Sequence, residues 1–176
     1  MTVSSSSHPP SHPIVRLARL AIENHLTGEP APTAEADLFS TEPSGAFVSL
    51  KKGGQLRGCI GTILPVTGTL GDEVARNAVS AATRDPRFAP VAPEELDQIT
   101  VSVDVLTAPQ PVSSPDDLDP SRYGVIVQSG YRKGVLLPDL PGIDTVEKQL
   151  AIARQKAGIG PTEKCELLRF EVKRYF

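Results

Sequence analysis

The sequence predicts an α+β fold, with a mixed or antiparallel sheet and flanking helices. Two hairpin-like pairs of short strand segments and three separate helical stripes point to it. Strands and helices also fail to alternate regularly, as a doubly wound parallel sheet would require. Along the chain the predicted order is α-β-β-α-β-β-β-α-β.

Residues 1–12 lack apolar side chains to bury and read as a disordered tail, with the domain running over 13–176. Ile14, Leu17, Ala18, Ala21, Ile22 and Leu26 then recur at helical spacing, with Pro13 in the first turn and Gly28 as the stop. A Pro-, Ala- and Glu-rich connection covers residues 29–44. Residues 46–51 and 56–63 read as strands joined by Lys52-Gly53-Gly54-Gln55. Leu70, Val74, Ala78 and Ala82 mark a second helix, which Asp85-Pro86 ends because the residue before proline avoids helical geometry. Ile99, Val101, Val103 and Val105 alternate with Thr100, Ser102 and Asp104, a half-buried strand with an exposed polar face.

Residues 108–121 read as a loop. Residues 125–128 and 134–137 form a second hairpin pair, with Tyr131-Arg132-Lys133 at its tip. Asp144 followed by Glu147 resembles a capping box for a third helix, and Gly158 occupies the left-handed stop. Leu168, Phe170 and Val172 close the pattern as a last strand. No internal repeat is visible.

A chain of 176 residues suffices for one domain with its own core. With five Phe, three Tyr and no Trp, that core must be mostly aliphatic. The formal charge of −3 disfavours nucleic-acid binding through bulk electrostatics. Apolar runs such as Val135-Leu136-Leu137 are too short to cross a membrane, and the N-terminus has no basic start or apolar block of a secretory signal. A cytoplasmic setting with reduced thiols follows as the expectation. His25 is the only histidine beyond the tail, and Cys59 and Cys165 lie far apart. A His-rich metal site or a Cys–His dyad is therefore not expected, and no cofactor is implied.

The unusual stretch is Leu56-Arg57-Gly58-Cys59-Ile60-Gly61-Thr62. In a regular strand Arg57, Cys59 and Gly61 share one face. A guanidinium beside a thiol favours the thiolate, and flanking glycines let a ligand or a second backbone come close. Two readings stand side by side: a reactive site, or a small buried hydrophobe in a strand bent by glycines.

This stretch resembles the LRGCIGT signature of the AMMECR family. Further blocks resemble it in family order: Ala81-Ala82-Thr83-Arg84-Asp85-Pro86-Arg87-Phe88, Val101-Ser102-Val103-Asp104-Val105-Leu106, Tyr123-Gly124-Val125-Ile126-Val127 and Gly134-Val135-Leu136-Leu137-Pro138. Gly142-Ile143-Asp144-Thr145-Val146-Glu147 and the segment 152–158 are similar to the bacterial subgroup called AmmeMemoRadiSam system protein A. The segment 159–166 departs from the pattern, being short and without the tryptophan of many relatives. The resemblance implies a larger and a smaller lobe with a cleft between them. It also implies partners, namely a MEMO-type, dioxygenase-like protein and a radical-SAM protein. Two distant cysteines cannot supply the three-cysteine loop that radical-SAM chemistry needs, so any such cluster belongs to a partner.

The candidate site is thus Cys59 as active-site thiol with Arg57 as its charge partner, and Gly58, Gly61, Thr62, Asp85 and Arg87 as substrate contacts. Asp85 and Arg87 also fit a simpler reading, an ion pair closing a proline turn. The expected function is a small-molecule-binding or modifying subunit; the alternative is a non-catalytic docking subunit.

Overall fold

The computed structural model describes residues 11–33 and 42–176, so most of the expected tail lies outside the described residues. Two compact units are present, one of Met1–Val105 with Arg174–Phe176 and one of Leu106–Lys173. The α+β expectation holds. Helices α1 (Pro13–Thr27), α2 (Leu70–Thr83) and α3 (Val146–Ala157) accompany strands β1 (Ala46–Lys52), β2 (Gln55–Thr62), β3 (Ile99–Leu106), β4 (Gln110–Pro111), β5 (Tyr123–Ser129), β6 (Arg132–Leu136) and β7 (Glu166–Tyr175). Every strand pairing described is antiparallel.

In the first unit the strand order is β2-β1-β3, which among the described residues leaves the outer side of β2 without a neighbouring strand. Gly53 and Gly54 both have positive φ, 57° and 79°, the geometry a two-residue hairpin turn demands. They bring Lys52 opposite Gln55 and Ser49 opposite Cys59. The buried side chains Ala46, Val48, Leu50, Val101 and Val103 form one side of a core whose other side is α1 and α2. From α1 it takes Ile14, Val15, Ala18, Ala21 and Ile22, and from α2 Val74, Ala78, Ala81 and Ala82. Small residues on α2 bring its backbone close to the sheet. At Gly58 a Cβ would lie 2.2 Å from the carbonyl oxygen of Ala81, so only glycine fits there.

His12 starts α1, its ring Nδ1 accepting from the Ile14 N–H at 3.3 Å while its own N–H reaches the Phe176 carbonyl at 3.0 Å. Asp104, whose place the sequence leaves undecided between water and a cleft, is buried and takes a two-pronged pair from Arg174 at 2.7 and 2.9 Å. A carboxylate so removed from water needs such a partner.

In the second unit β6-β5-β7 form the sheet, and β4, a short strand inside the expected loop, pairs with β7. Here α3 packs on Val125, Val127 and Leu136 through Ala153. Gly134 allows it to approach, since a Cβ there would stand 1.9 Å from the Ala153 carbonyl. The cap of α3 is Thr145 rather than Asp144: the Thr145 hydroxyl accepts from the Lys148 N–H at 3.3 Å. The hairpin tip is tighter than expected, with Ser129 opposite Arg132 and Tyr131 96% exposed.

Gly58→Ala should lower stability by about 1–3 kcal/mol, because a backbone oxygen blocks the added methyl. Gly68→Ala, with nothing within 4 Å of the new Cβ, should change it by no more than about 0.5 kcal/mol. Urea unfolding of both variants checks this; equal effects would mean that α2 gives way freely.

Candidate functional site

The candidate residues gather along the outer edge of β2. Cys59 is half-buried, and the Ser49 hydroxyl on β1 donates to its sulfur at 3.2 Å. Its N–H points away from β1 and donates to Asp85 Oδ2 at 2.8 Å. The position of Asp85 follows from α2: the helix ends at Thr83, Pro86 forbids its continuation, and Gly58 lets its last turn approach β2.

The Asp85 side chain is 2% exposed. Besides Cys59 it accepts from Arg87, whose Nε reaches Oδ1 at 2.9 Å and whose Nη2 reaches Oδ2 at 2.7 Å, and from the Arg87 backbone N–H at 3.1 Å. The Arg87 fork, helped by the Cys59 and Arg87 N–H groups and opposed by burial, holds the Asp85 carboxyl well below the usual carboxylate range. Arg87 itself is 55% exposed, lies over the Phe88 ring at 5.4 Å and approaches the Cys59 carbonyl oxygen at 3.5 Å.

Arg57 is engaged elsewhere. The pairing of β1 with β2 slips between Leu50 and Lys51: Leu50 faces Gly58 while Lys51 faces Leu56. Arg57 is the extra residue of this bulge, which breaks the two-residue repeat that relates it to Cys59 in a regular strand. Its guanidinium donates to Glu95 at 3.2 and 2.9 Å, to the Ala89 carbonyl at 2.9 Å and to that of Pro90 at 3.4 Å. Lys52 Nζ meets the same carboxylate at 3.0 Å, and the Ala92 N–H does so at 3.0 Å. These contacts, Arg57 foremost, pull the Glu95 carboxyl down to about 2 against burial. Arg57 therefore fastens the segment 89–95 to the hairpin.

The other expected contacts have partners within the chain. Gly58 faces the Ala81 carbonyl, and a Cβ at Gly61 would be 2.2 Å from the Phe47 ring opposite it. Thr62 donates to Glu73 and accepts from Asn77 Nδ2 at 3.1 Å. Fully buried Glu73 also takes N–H bonds from Val66 at 2.8 Å and Thr67 at 2.9 Å. Burial pushes its pKa up, but these bonds together bring it below the ordinary value.

Sequence reasoning missed Glu95, Glu73 and Ser49. For Glu95 a signal was present, since proline at the first position of a turn with glutamate two places on is helix-start chemistry. Ser49 needed only the register. Among the described residues no three His, Cys, Asp or Glu side chains gather to hold a metal ion, and no helix is long and apolar enough to cross a membrane. A cavity of about 330 Å³ lies against α1 and α2, and one of about 260 Å³ lies in the second unit beside Arg122, Tyr123 and Arg169. Neither is lined by a residue of β2.

The AMMECR1 family model matches residues 15–175. A protein of Thermotoga maritima is 51% identical over 170 residues, covering 93% of this chain and 97% of that one. One of Clostridium acetobutylicum is 47% identical over 167 residues, but there the chain spans only 36% of the relative. The crystal structure of an uncharacterized protein from Pyrococcus horikoshii aligns with a TM-score of 0.83 at 33% identity, covering 93% of this chain and 89% of that one.

Asp85 and Glu95 both lie below their ordinary values, 3.8 and 4.5. Such groups contribute stability that is complete above the unfolded-state value and lost as pH falls towards the folded one. Urea midpoints should therefore fall from pH 4.5 towards about 2. Glu95→Gln should lower the midpoint at neutral pH and make this acid slope shallower; an unchanged slope would show that Glu95 has no part in it.

Proposed function

Given that this chain belongs to the AMMECR1 family, we propose that it is a small-molecule-binding or modifying subunit whose site is the outer edge of β2 around Cys59. One observation carries the reading. Two separate motif blocks, 56–62 and 81–88, meet in a single hydrogen-bonded group, the Cys59 N–H and the Arg87 fork on the Asp85 carboxylate. A buried aspartate pins the inner edge of a half-exposed guanidinium, and its Nη1 makes no hydrogen bond among the described residues. Arg87 thus offers donors suited to a carboxylate or phosphate beside the Cys59 thiol. In this arrangement Cys59 is the contact for the ligand's reactive part and Arg87, in place of Arg57, is the charge.

Docking is the second reading. It is favoured by the Clostridium acetobutylicum relative, of which the chain spans 36%. There the domain is one part of a longer protein, as a unit acting beside others would be. The partners proposed are a MEMO-type, dioxygenase-like protein and a radical-SAM protein, and the surface is the same β2 edge.

Thiol alkylation separates the two. In a Cys165→Ser background, native Cys59 should react with both neutral iodoacetamide and anionic iodoacetate. Arg87→Ala should slow iodoacetate relative to iodoacetamide by about fivefold, the worth of one exposed charge at contact distance. A Cys59 that reacts only after denaturation, or an unchanged ratio, would remove the ligand-site reading and leave docking.

A further inference from the structure

The 330 Å³ cavity against α1 and α2 shares no lining residue with the Cys59 site and has the makings of a second one. It is lined by Ala21 and His25 of α1 and by Ala75, Arg76, Ser80 and Arg84 on α2 and at its end. Arg76, Ser80 and Arg84 recur every four residues, so they share one stripe of the helix. Ala21, Ala75 and Val79 give an apolar floor.

Four of its polar side chains have no partner among the described residues. The side chains of Arg76, Ser80, Arg84 and His25 make no hydrogen bond or ion pair among the described residues. Asp72, one turn before Arg76, is instead bonded to the Thr69 hydroxyl at 2.8 Å and makes no ion pair with that arginine. Glu29 and Asp72 are the two carboxylates in the lining, and neither forms an ion pair with the two guanidiniums among the described residues. The arginines stand about 12 Å apart along the helix axis, with Ser80 midway, and their long stems can bring both heads over its hydroxyl. Arginine left unpaired beside a cavity is a fork awaiting an acid group.

We propose that this cavity binds a small anionic amphiphile. Its carboxylate or phosphate is held by Arg76, Arg84 and the Ser80 hydroxyl, and its short apolar body lies on Ala21, Ala75 and Val79. The volume falls at the lower end of the range for small-molecule sites, which limits the body to about octyl size.

Titration of the isotopically labelled full chain, followed by amide NMR, tests this with three probes sharing one body: octanoate, octyl phosphate and octylammonium. Saturable binding of octanoate or octyl phosphate in the millimolar range or tighter is expected, with shifts centred on Ala21, Ala75 and Val79. Whichever anion binds more tightly identifies the acid group. Octylammonium should bind at least about tenfold more weakly, and the Arg76→Gln/Arg84→Gln variant should weaken the anions by about tenfold or more. Both arginines are exposed, so this variant should keep the wild-type melting temperature. Should it not, Ala75→Leu, which fills the floor and keeps the charges, must weaken both anions. Alkylating Cys59 should leave the binding unchanged, which separates this site from the one on β2. No saturable binding of either anion, equal binding of octylammonium, or shifts centred elsewhere would overturn the proposal.

Discussion

Much of the first unit depends on one missing methyl group. At Gly58 the carbonyl of Ala81 occupies the place of a side chain, so the last turn of α2 rests directly on β2. Once the helix is seated there, the chain leaving it has little choice. Pro86 forbids another helical turn, and Asp85 accepts the backbone N–H of Cys59, which points away from β1. The edge of a sheet, which otherwise invites a foreign strand, is closed at this point by a carboxylate and its arginine. The second unit repeats the device, with α3 laid on β6 over Gly134.

Carboxylates do different work at three places around β2: Glu73 and Asp85 are buried, and Glu95 is partly exposed. Glu73 has no cationic partner among the described residues; it gathers Thr62, Val66 and Thr67 and fixes the loop that leads into α2. Glu95 draws in Arg57 and Lys52 and ties the segment after α2 to the other end of the hairpin. Asp85 alone couples a backbone group of the signature strand to a side chain that remains half in solvent. That difference in exposure places Arg87, rather than Arg57, at the centre of the functional reading. An arginine whose forks are filled by Glu95 and two carbonyls has little left for a ligand, whereas Arg87 keeps an edge free.

The helical elements, both hairpins and the antiparallel character were legible because each follows from local rules. Periodicity sets a buried face, paired glycines permit a tight turn, and proline stops a helix. Where local signals compete, the sequence misled. Asp144 and Thr145 are both good caps, and the geometry of the entering chain chose Thr145. Alternation put Asp104 on the polar face of its strand without deciding its exposure, and Arg174, distant in sequence, makes its burial tolerable.

The sequence by itself determined that Cys59 sits in a glycine-flanked hairpin strand and that an Asp-Pro turn follows a helix, since both depend on residues adjacent in the chain. It also contained both motif blocks of the site. Only the tertiary structure decided which arginine shares a carboxylate with the Cys59 N–H. A single extra residue in β2 breaks the alternation at Arg57, and the close approach allowed by Gly58 delivers Asp85 and Arg87. A bulge is a mismatch between two strands, and a helix-to-strand distance is a property of two surfaces. Neither is encoded in the spacing of residues along one segment.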